Sequence, residues 1–129
     1  MKKVLLPIDF SEGFQKRNLQ IIAHLKQWDS KCEVFLLNTY LPPVAAFDQL
    51  ICKHDELRKN SIEKLEKERR ALEKISNAHI HYETLSYMGS FQNVLLHVIR
   101  DYKIDYVVLK PGQSEKLKLG EFGCKILSI

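Results

Sequence analysis

The chain has 129 residues, of which 45% are hydrophobic and 28% are charged, with a formal net charge of +4. This length suits one domain with a buried core, so we expect a single domain over residues 1–129. The charge is too small to indicate a nucleic-acid-binding surface, and no apolar stretch approaches the roughly 18 residues of a membrane span.

The apolar stretch at the start of the chain ends at Asp9. It is too short for the core of a signal peptide, and no small-residue cleavage site follows it. We therefore expect a cytoplasmic protein that binds neither nucleic acid nor membrane.

The cysteines and histidines show no metal-binding pattern. Cys32, Cys52 and Cys124 are odd in number and widely spaced, which predicts reduced, buried or half-buried thiols and argues against disulfides or a zinc site. His79 and His81 share one side of a predicted strand and could pair on a metal, but an exposed edge position is the commoner arrangement. We predict no metal site.

The first half of the chain alternates strand and helix patterns. Residues 4–9 form a continuous apolar run that is typical of a buried parallel strand. Ser11 follows as a candidate helix N-cap, and apolar residues then recur at three- and four-residue steps up to Trp28. Residues 32–40 form a second apolar strand, and residues 53–74 are again helical.

The second helix has a densely charged outer face. Its predicted buried side carries Leu50, His54, Leu57, Ser61 or Ile62, Leu65, Leu72 and Ile75. On the outer side, acidic residues are interleaved with basic ones and cancel most of their field; these are Glu63, Glu66, Glu68 and Glu73. The pattern predicts a solvated face and argues against a nucleic-acid-binding helix.

The second half supplies three more strands and a helix. Residues 80–88 form a polar strand, which suits a sheet edge. A helix with a clean apolar stripe follows at 91–102, and then a buried strand at 104–110. Residues 124–129 form a fifth strand, and the connection to it is close to the minimum of about a dozen residues for a parallel crossover, which leaves its direction open.

This order of elements predicts an α/β fold with a doubly wound, five-stranded parallel sheet of order 3-2-1-4-5. The apolar first and fourth strands suit the centre of the sheet, and the polar third strand suits an edge. The strand order reverses between strands one and four, so a ligand crevice is expected above Asp9 and Lys110.

Four segments resemble the universal stress protein family: residues 4–11, 34–39, 87–89 and 104–109. The resemblance extends over essentially the whole chain. It implies a Rossmann-like fold of the adenine nucleotide alpha hydrolase type and a role in stress response.

Many members of that family bind ATP in the same crevice. In them, a proline and an aspartate after strand one flank the adenosine, and a residue near the end of strand two touches the base. The resemblance carries these roles over to Pro7, Asp9 and Thr39.

A glycine motif after strand four (G-x-x-G, nine residues, then G-[ST]) holds the phosphates in that family, because glycine lets backbone N–H groups approach phosphate oxygens. This chain departs from the motif at every element. Lys110 stands at the first glycine position, and Gln113, or Gly112 with a one-residue shift, stands at the second. Gly120 comes too early for the last glycine and is followed by Glu121, whose carboxylate would repel phosphate.

We therefore predict a vestigial nucleotide crevice and no bound cofactor, with ATP binding as the alternative. Its candidate residues are Pro7, Asp9, Thr39, Leu109, Lys110, Gly112 and Gly120. Asp9 either accepts hydrogen bonds from a ribose or an adenine amine, or caps the turn beside Ser11. Lys110 either provides a point charge for an anion or belongs to a solvated, lysine-rich loop.

The sequence favours a non-enzymatic protein. Ser11 has no neighbouring base and no nucleophile-elbow glycines, and a P-loop is absent. We expect a domain that acts through homodimerisation and partner binding, because the resemblance implies a dimer through the last strand and Ile126, Leu127 and Ile129 give that strand an apolar character.

Two other functions stay open. One is a regulatory switch that binds ATP or another adenine nucleotide. The other, less favoured, is a phospho-signalling receiver, which requires an acidic cluster around Asp9 and a phospho-accepting aspartate where this chain has Lys110.

Overall fold

The computed structural model describes residues 1–28, 30–41, 47–76, 79–110 and 123–128, and the side chains within them except those of 47–54 and 128. The elements follow in the order β1 (Lys2–Pro7), α1 (Phe14–Leu25), β2 (Cys32–Tyr40), α2 (Phe47–Ile75), β3 (Ile80–Met88), α3 (Phe91–Tyr102), β4 (Tyr106–Leu109) and β5 (Lys125–Ser128).

The strands form a five-stranded sheet of order β3-β2-β1-β4-β5, which confirms the predicted fold class and strand order. Every pairing is parallel, including that of β5 with β4, where Tyr106 lies opposite Lys125. The direction of the last strand, which the sequence left open, is therefore parallel. The polar strand β3 lies at an edge, as predicted.

Helices cover both faces of the sheet. On one face, Val4 and Leu6 of β1 pack with residues of α1 and α2. On the other, Leu5 packs with residues of α3. Burying one such leucine contributes roughly 1.5–3 kcal/mol. Because β1 is covered on both faces and paired on both sides, it reaches solvent and ligands only at its ends.

The start of α1 differs from the predicted one. Gly13 occupies the N-cap position with a left-handed φ of 82°, and no side chain caps the helix. Ser11 instead donates its backbone N–H and its hydroxyl to Oδ1 of Asp9, at 3.0 and 2.6 Å. The prediction of Ser11 as the N-cap was wrong because the carboxylate two residues earlier uses its hydrogen-bonding groups.

The buried side of α2 was predicted correctly at Leu65 and Leu72, and of the alternatives Ser61 and Ile62 it is Ser61 that is buried. Ile62 and Ile75 are exposed. Glu68, which we expected on the solvated face, is only 5% exposed and accepts a hydrogen bond of 3.1 Å from Nδ2 of Asn18. Its spacing from the buried residues places it on their face of the helix, despite its charge.

None of the described helices is both long and apolar enough to cross a membrane. Cys32 and Cys124 are buried free thiols, as predicted, and burial raises the pKa of each. Within the described part of the chain, no group of three or more His, Cys, Asp or Glu side chains is arranged to hold a metal ion.

The buried Asn18–Glu68 pair gives a first prediction. Replacing Asn18 by alanine removes the amide that donates to a buried carboxylate, and leaving such a group unsatisfied costs roughly 1–3 kcal/mol. Urea denaturation of Asn18→Ala is expected to show a loss of this size. Gln20→Ala, on the exposed side of the same helix, is the matched control, and equal losses in the two variants would contradict the prediction.

Candidate functional site

A cavity of about 340 Å³ opens at the carboxyl ends of the central strands, where the strand order reverses. Its lining combines apolar and polar side chains: Pro7, Ile8, Asp9, Arg17, Leu37, Asn38, Thr39, Phe91, Val108 and Lys110. A smaller cavity of about 60 Å³ extends it toward the start of α1 and shares Asp9, Arg17 and Lys110 with it. We refer to the two cavities together as the crevice. Open parallel sheets place ligands at this position.

An ion pair joins the two strands on either side of the reversal point. Nζ of Lys110, directly after β4, donates to Oδ2 of Asp9, two residues after β1, at 2.9 Å. The side chains are 40% and 58% exposed, so the pair faces solvent at the mouth of the crevice. Such an exposed pair contributes little to stability. Its main effect is to place a carboxylate and an ammonium group side by side where a ligand would bind.

Asp9 is strongly favoured in its ionised form. Partial burial acts to raise its pKa, but hydrogen bonds from Ser11 and Lys110, together with the charge of Lys110, outweigh that effect and hold the pKa well below its usual range. The Oδ1 atom is engaged by Ser11 and the Oδ2 atom by Lys110. Both predicted roles of Asp9 have a structural basis, because it stabilises the turn and also lines the crevice.

Arg17 brings a second cation to the crevice. It lies in the first turns of α1 and lines both cavities. Burial lowers the pKa of its guanidinium, and the nearby Asp9 carboxylate opposes that effect. Arginine keeps its charge at neutral pH in such a position. Arg17, Asp9 and Lys110 leave one net positive charge in the larger cavity, and Glu12, which lines the smaller one, balances it.

The turn between β1 and α1 is shaped by Phe10. Its φ of 57° lies in the left-handed region, which is unusual for a bulky residue. Its ring packs edge-on against Phe14 at 5.3 Å between centroids, and Nζ of Lys64 lies 5.4 Å from its centroid. These contacts oppose the backbone strain and hold the turn that carries Asp9.

The backbone just after β1 is held by β2. The N–H of Ile8 donates to the carbonyl of Leu37 at 2.7 Å, and Nδ2 of Asn38 donates to the carbonyl of Ile8 at 2.8 Å. Asn38 is 8% exposed, and it lines the crevice. Both polar groups of the Ile8 backbone are thus satisfied by β2, one residue before the carboxylate.

The structure brings most of the predicted site residues together. Pro7, Asp9, Thr39 and Lys110 line the crevice, whereas Leu109 is fully buried in the core beneath α3 and is not part of the lining. Gly112 and Gly120 lie outside the described residues, so the altered glycine motif stays a prediction.

Six residues that line the larger cavity were not among the predicted site residues: Ile8, Arg17, Leu37, Asn38, Phe91 and Val108. Asn38 carried a usable signal, because it is a polar residue near the end of an otherwise apolar strand. The position of Arg17 in the first turns of the helix after strand one was a weaker signal, and Phe91 was assigned only to the core.

Comparisons place this fold among known structures. No family profile and no curated protein matches the sequence. Among the solved structures that match nearly the whole chain are members of the universal stress protein family. UspA from Lactobacillus plantarum has a TM-score of 0.74 at 14% identity, over 99% of this chain and 97% of its own.

Two further matches were solved with adenine nucleotides. A universal stress protein from Arabidopsis thaliana with AMP bound has a TM-score of 0.67 at 14% identity, over 100% of this chain and 91% of its own. Another, in complex with cAMP, has a TM-score of 0.57 at 13% identity, over 99% and 95% of the two chains. At these identities the similarity establishes a shared fold.

The low pKa of Asp9 gives a second prediction. A carboxyl whose pKa is lowered on folding stabilises the protein above its unfolded pKa, and this contribution disappears as the pH falls through the folded value. The difference in thermal midpoint between wild type and Asp9→Asn should therefore shrink between about pH 5 and pH 2. Lys110→Met removes one hydrogen bond to Asp9. Its difference in thermal midpoint from wild type should shrink over the same pH range, by a smaller amount. A difference that is constant with pH would contradict the prediction.

Proposed function

We propose that this chain is a non-enzymatic, universal stress protein-like domain that binds an adenine mononucleotide in the crevice at Asp9 and Lys110. The observation that carries the proposal is the ion pair between those residues at the mouth of a cavity of about 340 Å³. The two similar folds solved with AMP and with cAMP support the choice of ligand.

The size and lining of the crevice support a single nucleotide. Small-molecule sites span about 300–1,000 Å³, and this cavity lies near the lower limit. Leu37, Phe91 and Val108 offer an apolar wall for a base, while Asp9 offers acceptors for ribose hydroxyls.

The charges support a ligand with phosphate. Lys110 and Arg17 both line the crevice, and a phosphate group there would find two cationic donors. Side-chain charges of this kind can take the place of the backbone N–H groups that a glycine motif provides. The altered motif that the sequence predicts is then compatible with binding of a mononucleotide that has a short phosphate chain.

The state of Asp9 supports binding without catalysis. A general base works best when its pKa lies near the operating pH. The pKa of Asp9 is held far below that range by Ser11 and Lys110, which makes this carboxylate a weak base. Its hydrogen bonds suit it to orient a ligand.

A thermal-shift titration tests the proposal. AMP is expected to raise the midpoint with rising concentration, reaching about 2.7 kcal/mol of stabilisation at a hundredfold excess over the dissociation constant. Adenosine should bind more weakly, because it lacks the phosphate, and magnesium should have little effect. Asp9→Ala and Lys110→Ala should each reduce the shift.

Lys59→Ala, an exposed charge on α2, is the control for net charge and should respond to AMP like wild type. Absence of a shift at millimolar AMP, ADP and ATP would refute the proposal. Equal shifts with adenosine and AMP would refute the assigned role of the two cations.

The β5 edge favours a second role, homodimerisation. β5 pairs with β4 alone among the described strands, and Ile126 is 37% exposed. A strand with one unpaired edge offers backbone groups to another chain. We propose that a second copy pairs along this edge, in addition to nucleotide binding.

Sedimentation velocity tests the dimer. Ile126→Lys is expected to shift the protein from dimer to monomer, because it places a charge at the proposed interface. Ile62→Lys changes a similarly exposed isoleucine on α2 and should leave the dimer intact. A monomeric wild type, or an unchanged dimer in Ile126→Lys, would contradict the proposal.

A further inference from the structure

A line of side-chain hydrogen bonds runs from the crevice through β2 and α2 to the edge strand. Nδ2 of Asn38 donates to the carbonyl of Ile8 at 2.8 Å. Oγ of Ser61 donates to Oδ1 of Asn38 at 2.6 Å, and Oγ of Ser86 donates to Oγ of Ser61 at 2.7 Å. Asn38 and Ser61 are 8% and 4% exposed, so water competes little for these bonds.

The carbonyl of Ile8, at the crevice end of this line, determines which group donates in each of its hydrogen bonds. A backbone carbonyl only accepts hydrogen bonds, so the amide of Asn38 must turn its nitrogen toward Ile8. Its oxygen then faces Ser61, whose single hydroxyl hydrogen is used to reach it. Ser61 is left to accept from Ser86. Each bond therefore determines the polarity of the next, and the Asn38 amide has one favourable orientation.

Asn38 has a further hydrogen on Nδ2 beyond the one used by Ile8. The residue lines the crevice beside Thr39 and Leu37. Because Oδ1 accepts from Ser61, the second N–H of Nδ2 is the side-chain group that Asn38 has left for a ligand in the crevice. A donor at this position would select a ligand that carries an acceptor, such as a purine ring nitrogen or a ribose oxygen.

We infer that Ser61 and Ser86 are positioning residues that orient Asn38 as a hydrogen-bond donor to the nucleoside part of the ligand. They also support the backbone at Ile8, one residue before Asp9. This inference rests on the proposed function, because it assigns a recognition role within the same crevice. It places determinants of affinity on α2 and β3, away from the ligand.

Matched serine variants provide the test. Ser61→Ala frees the Asn38 amide to rotate and is expected to weaken AMP binding, measured by calorimetry, about threefold to tenfold, the range of one neutral hydrogen bond. Ser86→Ala removes the outermost bond only and should have a smaller effect in the same direction. If Ser61→Ala fails to fold, the AMP affinity of Ser86→Ala provides the test.

Ser76→Ala is the control. Oγ of Ser76, the residue after α2, donates to the carbonyl of Leu72 at 2.6 Å and is also hydrogen-bonded to the hydroxyl of Tyr82, so this variant loses comparable bonds away from the crevice. A purely structural role of Ser61 would lower the thermal midpoint in both variants and leave AMP affinity unchanged in both. That result would overturn the inference.

A second readout does not require a ligand. In the NMR spectrum of the free protein, the side-chain amide of Asn38 should show one slowly exchanging hydrogen, and this protection should be lost in Ser61→Ala but kept in Ser76→Ala. Unchanged protection in Ser61→Ala would overturn the inference. If wild type binds no AMP while the protection pattern is as expected, the proposed function fails but the orienting role of Ser61 is supported.

Discussion

The end of β1 is the constraint on which the rest of the site depends. This strand is paired on both sides and covered on both faces, so its backbone groups beyond Pro7 must find partners from neighbouring elements. β2 supplies them through Leu37 and Asn38, and Ser11 and Lys110 satisfy Asp9. The residues that satisfy the hydrogen bonds at the end of β1 therefore also line the crevice and supply part of its charge.

The charges of the crevice follow from the same arrangement. A lone carboxylate at a strand end would repel phosphate, but Lys110 compensates Asp9, and Arg17 adds a positive charge in the larger cavity, away from Glu12 of the smaller one. Binding through long side chains differs in character from binding through a rigid glycine loop. It is less dependent on exact geometry and more dependent on salt, since exposed charges are screened. This chain would thus recognise phosphate by charge in a crevice whose shape the core determines.

Much of the fold could be predicted from the sequence because hydrophobic pattern determines it. The buried strand β1 and the polar edge strand β3 differ clearly in composition, and this difference specifies the strand order. Glu68 was assigned to the solvated face because it is charged, although its helical spacing places it on the buried face. Ser11 was predicted as the N-cap from its residue type, but its hydroxyl donates to Asp9. In the site, Asp9 and Lys110 were found from strand ends, and Pro7 and Thr39 from the family resemblance; all four line the crevice. Arg17 and the bonds of Asn38 depend on how α1 and α2 dock, which no local pattern encodes.

The most direct test of the central claim is an NMR titration of the ¹⁵N-labelled protein with AMP. The account predicts saturable shifts of backbone amides around the crevice, at Asp9, Arg17, Asn38, Thr39 and Lys110, with little change along the amino-terminal ends of the strands. Absence of shifts at millimolar AMP, or shifts concentrated on another surface such as the β3 edge, would contradict it.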